Sequence, residues 1–305
     1  MDWIGRKRFM RIFVTGGTGL VGTGVVKALL AKGHTVTTLA RSEQSANIQT
    51  QLGATPVRGS LTSPDSWVGE ALTHDAFIHA AATFDSDMGD VDHHLVKALL
   101  KAAEALPVEK TIPFIYTGGC WLYPEAPVIP ITERHVLEPL PEFAWMLDSI
   151  EQLHSCPNFL LTVIHPARVV DKGRGFIADY AKELLENGEI IIVGAADTHF
   201  PIVQSDDLAD LYVRALEHRG DGLLLNATAI KSATAQDIGK QVAQALNKPY
   251  QANIITVQEA QKRFGNWASG FGRSQRMQAD RAHDKLGWSP RYTSIEDLVR
   301  ISLET

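Results

Sequence analysis

Arg11-Ile12-Phe13-Val14-Thr15-Gly16-Gly17-Thr18-Gly19-Leu20-Val21-Gly22 runs a short apolar segment straight into glycines at 16, 19 and 22. Ile12 to Val14 reads as a buried strand, and Leu20 to Ala31 as a helix closed by Gly33 at its C′ position. Thr35 to Leu39 then reads as a second strand. In a strand–turn–helix of this kind each glycine has a use. One allows the tight turn, one lets backbone approach a pyrophosphate, and one permits close helix–sheet packing. The helix start favours negative charge because its first N–H groups are free. Gly16, Thr18, Gly19, Leu20, Val21 and Gly22 are therefore expected to cradle a dinucleotide. The alternative for a bare glycine triplet is a structural turn, and the strands on both sides weigh against it.

The end of the second strand bears on which dinucleotide. An Asp or Glu there would bind the ribose 2′-hydroxyl of NAD(H). The chain instead reads Leu39-Ala40-Arg41-Ser42, with no carboxylate before Glu43. Arg41 can pair with a 2′-phosphate and Ser42 can add a hydroxyl bond, so NADP(H) is expected ahead of NAD(H). A solvated Arg41 at a loop start is the competing reading.

From Met10 onward short apolar runs alternate with longer amphipathic ones. That alternation predicts an α/β protein with a Rossmann-type, doubly wound parallel sheet and a smaller C-terminal α/β lobe for substrate. Further strands are expected at Ala54–Val57, Ala76–Ile78, Ile112–Tyr116, Phe159–Ile164, Ile190–Val193 and Leu223–Leu225. Helices are expected at Val91–Ala105, Phe143–Leu153, Phe176–Glu186, Asp206–Glu217, Ala235–Leu246, Val257–Phe264, Asp280–Leu286 and Ser294–Ile301. Residues 10–170 are assigned mainly to the dinucleotide domain and 171–305 mainly to the lobe, with 195–228 returning to the core. Residues 1–9 read as an extension: either Met10 is the native start or the extension covers a sheet edge. Asp206 and Asp207 are expected to cap the helix that begins there.

With 305 residues, 45% of them hydrophobic, and a net charge of −6 without a basic block, nucleic acid is not an expected partner. No apolar run is long enough for a membrane span, and no signal peptide opens the chain. Cys120 and Cys156 form no disulfide framework, no metal-ligand spacing stands out, and the expected compartment is the cytoplasm.

The Thr-Gly-x-x-Gly-x-x-Gly spacing resembles that of the extended short-chain dehydrogenase/reductases, the epimerase/dehydratase class. Gly59-Ser60-Leu61 falls where the family has Gly-Asp-Leu near the adenine. His79-Ala80-Ala81-Ala82 is similar to the segment that lies along the cofactor after strand four. Tyr116 to Tyr123, with Thr117 at its start, resembles the strand-five exit, and His165-Pro166-Ala167-Arg168-Val169 the segment near the nicotinamide. Pro201 to Ala209 and the closing Leu286-Gly287-Trp288-Ser289-Pro290 extend the likeness over nearly the whole chain from Met10. The resemblance implies that Ser60, Leu61, Ala80, Ala81, Ala82, Thr117 and Pro166 join the cofactor contacts, and it permits a homodimer through the helices Val91–Ala105 and Phe143–Leu153, or a monomer.

The chain departs from that family at its chemistry. Members use a Ser or Thr after strand five and a Tyr-x-x-x-Lys helix, in which the tyrosine exchanges a proton and the lysine lowers its pKa. Here those positions fall on Gly119, Phe143 and Leu147, and no Tyr-x-x-x-Lys occurs anywhere in the chain. Tyr123, Cys120 and His165 are the candidates left for catalysis, with Tyr123 and Cys120 expected to face the substrate pocket. The plainer reading makes Trp121 and Tyr123 an apolar wall, Cys120 a small buried hydrophobe and His165 a satisfied histidine under a strand end. Two functions follow: an NADP(H)-dependent oxidoreductase or epimerase-like enzyme on a small molecule with a non-standard acid/base, or a catalytically inactive NADP(H)-binding sensor or interaction protein.

Overall fold

The computed structural model describes residues 9–85, 87–218 and 220–304. The proposed N-terminal extension lies outside them up to residue 8. The chain begins β1 (Arg11–Thr15), α1 (Leu20–Ala31), β2 (Thr35–Ala40), α2 (Glu43–Leu52), β3 (Thr55–Arg58), α3 (Val68–Ala71), β4 (Ala76–His79), α4 (Met88–Ala103) and β5 (Ile112–Thr117). It continues β6 (Ala126–Ile131), α5 (Trp145–His154), β7 (Phe159–Pro166), β8 (Arg168–Val170), α6 (Phe176–Asn187), β9 (Ile190–Val193), β10 (His199–Gln204), α7 (Ser205–Glu217) and β11 (Leu224–Ala227). The last elements are β12 (Ile230–Thr234), α8 (Ala235–Ala245), β13 (Ala252–Ile255), α9 (Val257–Phe264), β14 (Gln275–Met277), α10 (Asp280–Leu286) and α11 (Ile295–Leu303).

Seven parallel strands form the central sheet in the order β11-β7-β5-β4-β1-β2-β3. The winding reverses between β1 and β4, which opens a crevice at the carboxyl ends of those two strands. Both faces of the sheet are covered, so its central strand β1 is apolar on both sides rather than alternating: Ile12, Phe13 and Val14 are all fully buried. One face packs on α1 and α7 through Val25, Val26, Leu29, Leu208 and Leu211. The other packs on α3 and α4 through Val68, Leu95 and Leu99. On that second face Phe13, Phe77, Phe114 and Phe159 step across β1, β4, β5 and β7 with ring centroids 5.6, 4.8 and 5.0 Å apart. The remaining strands make small sheets, β12-β10-β8, β13-β9 and β14-β6, and a separate core collects α6, α8 and α11 around Ile177, Ile238 and Leu298.

Two expectations are corrected, at α5 and at α7. The segment between β2 and β3, for which no element is expected from the sequence, is helix α2, in which Gln49 is the one fully buried residue. Helix α5 starts at Trp145, because Pro141 to Phe143 form a 3-10 turn ahead of it. At α7 the cap is Gln204, whose Oε1 accepts from the N–H groups of Asp206 and Asp207. Asp207 instead accepts from the Arg291 and Tyr292 N–H groups and the Arg291 side chain, tying the C-terminal segment to α7.

A buried polar cluster sits beneath the crevice. Asp92 on α4 accepts hydrogen bonds from His79 Nε2 (3.0 Å), Tyr116 Oη (3.0 Å) and Ser149 Oγ (2.6 Å). With the His79 proton on Nε2, its Nδ1 accepts from the Thr15 hydroxyl at 2.7 Å. Burial pushes the Asp92 carboxyl up, but the bonds from His79, Ser149 and Tyr116 outweigh it and hold it below the ordinary carboxylate range. The cluster joins β1, β4, β5, α4 and α5 and fixes the residue that immediately precedes Gly16. Removing its acceptor strands three buried donors. Asp92→Ala is expected to cost about 3 kcal/mol or more in urea unfolding, and Asp92→Asn, which keeps one acceptor oxygen, clearly less.

Candidate functional site

At the carboxyl end of β1 the chain turns through Gly16, whose φ is +79°. A Cβ there would lie 2.4 Å from the Ala80 carbonyl oxygen, and one on Gly22 would lie 2.1 Å from the Gly16 oxygen. Neither position admits a side chain: the loop is a place where backbone approaches backbone. The Gly19 N–H closes it on the Gly16 oxygen at 2.8 Å. Gly19 is the N-cap of α1 and no side chain caps that helix, so its first-turn N–H groups are left for a ligand. Thr18, Leu20 and Val21 are half-buried around this opening.

Arg174 reaches the same loop from 155 residues away. Its Nη1 and Nη2 lie 3.5 and 3.4 Å from the Gly19 and Thr18 carbonyl oxygens, and its own turn is pinned by paired backbone bonds with Asp171. The loop therefore carries a guanidinium beside an uncapped helix start. The sequence reading missed Arg174, since no spacing rule links it to the glycines.

At the far end of the crevice Arg41 is exposed just past β2, with its side chain free to meet a ligand. Ser42 is not free in the same way. Its hydroxyl accepts from the Ser45 N–H while Ser45 Oγ accepts from the Ser42 N–H, a reciprocal cap for α2. In this cap the Ser42 hydroxyl is the acceptor, so its own O–H is not used by it. Ser60 pairs with Thr62 through their hydroxyls, and its carbonyl accepts from Trp67 Nε1, which fixes the Ser60-Leu61 turn next to β3.

Ala80, Ala81 and Ala82 follow the carboxyl end of β4, Thr117 ends β5 and Pro166 ends β7. Ala80 N–H bonds to the Thr15 oxygen, and Thr117 Oγ1 pairs with Tyr212 Oη at 2.7 Å. Gly119 has extended backbone, and no heavy atom lies within 4 Å of where its Cβ would stand. A serine would fit there; the position is simply empty. Phe143 is buried against Leu122, Leu140 and Trp121, and Leu147 is half-buried on α5.

Tyr123 and Cys120, expected to face the substrate pocket, are buried, and so is His165. Tyr123 has no exposed surface and its hydroxyl donates to Asn226 Oδ1 at 2.9 Å. Burial, with Glu133 nearby, pushes that phenol well above its ordinary range. Cys120 is buried, and burial lifts its thiol to about 11. His165 lies beneath Gly118 and Gly119, fully buried, and burial lowers it to about 4. Its Nδ1 accepts from the Gly119 N–H at 3.2 Å, so its proton is on Nε2, which has no partner among the described residues. Among the described residues no group of three or more His, Cys, Asp or Glu could hold a metal ion, and no helix is long and apolar enough to cross a membrane.

Comparison with known proteins agrees with this geometry. Over its full length the chain is similar to an uncharacterised protein of Schizosaccharomyces pombe, at 24% identity over 94% of this chain and 97% of that one. It is 23% identical to the UDP-glucose 4-epimerase of Mycolicibacterium smegmatis, covering 95% and 97% of the two chains. Among solved structures, the UDP-glucuronic acid 4-epimerase of Bacillus cereus, in complex with UDP-glucuronic acid and NAD, superposes with a TM-score of 0.81 at 18% identity, over 96% of this chain and 98% of that one. The sequence model of the NAD-dependent epimerase/dehydratase family matches residues 12–226, and the chain is a member of that family.

Proposed function

We propose that the chain binds NADP(H) along the crevice and acts as an oxidoreductase or epimerase-like enzyme on a small molecule, without the Ser–Tyr–Lys proton relay. The observation that carries this reading is the glycine loop, closed by backbone contacts and paired with an uncapped helix start. Gly16, Gly19 and Gly22 leave room for a pyrophosphate, the first-turn N–H groups around Leu20, Val21 and Gly22 donate to it, and Arg174 adds positive charge. Arg41 stands where an acidic residue would select NAD(H), so it receives the 2′-phosphate. Ser60 and Leu61 border the adenine, while Ala80 to Ala82, Thr117 and Pro166 run along the nicotinamide half. The bound dinucleotide supplies or takes a hydride at its nicotinamide ring.

What the chain lacks shapes the reaction. Gly119, Phe143 and Leu147 cannot move a proton, and Tyr123, Cys120 and His165 are held in protonation states that do not change near neutral pH. A hydride transfer that needs no strong acid fits these residues best, such as reduction of an activated double bond or an iminium. A ketoreductase of Stigmatella aurantiaca, 30% identical over 52% of this chain and 49% of that one, supports the oxidoreductase reading. The same missing relay also favours a second reading, a catalytically inactive NADP(H) sensor or interaction protein. The family's helix-pair face, α4 with α5, is where a homodimer would form, and the free thiols of Cys120 and Cys156 suit the cytoplasm.

Three measurements test this. Purified protein is expected to oxidise NADPH when offered enones or imines from a panel that includes aldehydes and ketones; tight NADPH binding with no turnover on any of them would leave the sensor reading. Arg41→Glu is expected to weaken NADPH binding roughly ten- to a hundredfold and leave NADH within a few-fold, as read by cofactor fluorescence titration. The third concerns His165, whose pKa is depressed in the fold. Its contribution is fully present above the unfolded value of 6.5 and is lost as pH falls toward about 4. Wild-type protein is therefore expected to lose about 2 kcal/mol more than His165→Asn between pH 7 and pH 5 in urea titrations.

A further inference from the structure

Arg168 leaves β8 for the interior, and its surroundings are unusual for a cation. It is 9% exposed, and its Cζ lies 3.7 Å from the ring centroid of Phe200, 4.9 Å from Phe271, 5.3 Å from Phe176 and 5.8 Å from Trp121. Burial lowers its pKa to about 10, so it stays charged at neutral pH. Among the described residues no carboxylate forms an ion pair with it, and its one protein acceptor is the Gly270 carbonyl, 3.2 Å from Nη2. Among the described residues Nε and Nη1 have no hydrogen-bond acceptor. Aromatic faces offset part of the cost of burying a guanidinium, but they accept no hydrogen bonds along its edge.

The space beside it is apolar. Trp121, two residues past the open Gly119, packs on Phe143 at 5.5 Å and on Phe271 at 5.8 Å, with Trp267 at 6.4 Å. Phe84, 53% exposed on the β4–α4 loop, meets the Trp267 ring edge-on at 5.9 Å. The corner where members of the family place their proton relay is paved here with flat rings around one uncompensated positive charge.

We infer that this corner takes a small monocarboxylate with a flat apolar body, its carboxylate paired with Arg168 and its body against Trp121 and Trp267. The charge count selects the class. One buried cation neutralises a monoanion, whereas a phosphate or diphosphate would carry excess negative charge into an apolar site. A planar guanidinium edge also matches a carboxylate in two parallel hydrogen bonds. This assignment rests on the proposed function only in making the ligand the hydride partner.

The test uses cinnamate and its neutral counterpart cinnamamide as probes, titrated calorimetrically into the full-length protein saturated with NADP+. Cinnamate is expected to bind roughly tenfold or more tightly than cinnamamide. Arg168→Met is expected to erase that preference, changing cinnamamide affinity less than about threefold, while keeping or raising the melting temperature, because a buried charge without a counter-ion gives way to a side chain that packs. Trp267→Ala, at the mouth, is expected to weaken both probes alike and keep the preference. Equal affinity of the two probes for wild type, a carboxylate preference that survives Arg168→Met, or a marked drop in the melting temperature of that variant would each overturn the assignment and make Arg168 a structural strut. NADPH fluorescence in the same samples separates the two ideas. Cofactor binding without carboxylate preference sinks this inference alone, and Arg168-dependent cinnamate binding without cofactor binding sinks the proposed function alone.

Discussion

The structure depends on a contact that exists because two side chains are absent. The Gly16 backbone lies against Ala80 and the Gly22 backbone against Gly16, at distances where a methyl group has no room. Those contacts bring the exits of β1 and β4 together at the point where the sheet reverses its winding, and they set the start of α1 on the floor of the crevice. Thr15, one residue earlier, is held through His79 by the buried Asp92 cluster, so the loop inherits its position from α4, α5 and two neighbouring strands. A ligand that occupies the loop meets a surface already organised by the core, and little conformational entropy is left to lose on binding.

How much of this can be read from sequence depends on whether the cause is local. The glycine spacing and the apolar run before it were legible because turn geometry and strand burial act on adjacent residues. Helices α9 and α10 were legible to the residue because amphipathic spacing and flanking turns bound them. Helix α2 was not, because it lies on the surface with Gln49 alone fully buried and owes its start to the Ser42–Ser45 exchange rather than to an apolar stripe. Tyr123 and Cys120 follow the strand-five exit in sequence, but Asn226 on the edge strand β11 draws the tyrosine inward, a partner 103 residues away that no local pattern shows. Arg174 is the reverse case, a residue with no motif of its own that the fold delivers to the loop.

The family likeness and the missing relay belong to different layers of the molecule. The likeness resides in the sheet, the glycine loop and the closing segment tied to Asp207, all of which are conditions for folding and for holding a dinucleotide. The positions read from the sequence for the relay are Gly119, Phe143 and Leu147. Gly119 leaves one of them empty without strain, and Phe143 fills another with a ring that packs on Trp121. Neither substitution touches the central core, so the scaffold is indifferent to the loss, and fold similarity at 18% identity carries no information about it.

Two buried charges in the same chain show how differently this fold treats a structural ion and an unpaired one. Asp92 is ionised in the interior and receives three hydrogen bonds, one of them from an imidazole, so nothing about it asks for a further partner. Arg168 is as deeply placed, carries five N–H donors and gives one of them to a carbonyl. A cation needed only to join the second lobe to the core could be replaced by a hydrophobic side chain of similar length without that deficit. Aromatic rings hold its charge in place, but the directional bonding capacity along its edge is left unspent. The physical account that closes this deficit is an acceptor that arrives with the ligand, on the wall next to the position where the family's serine would stand.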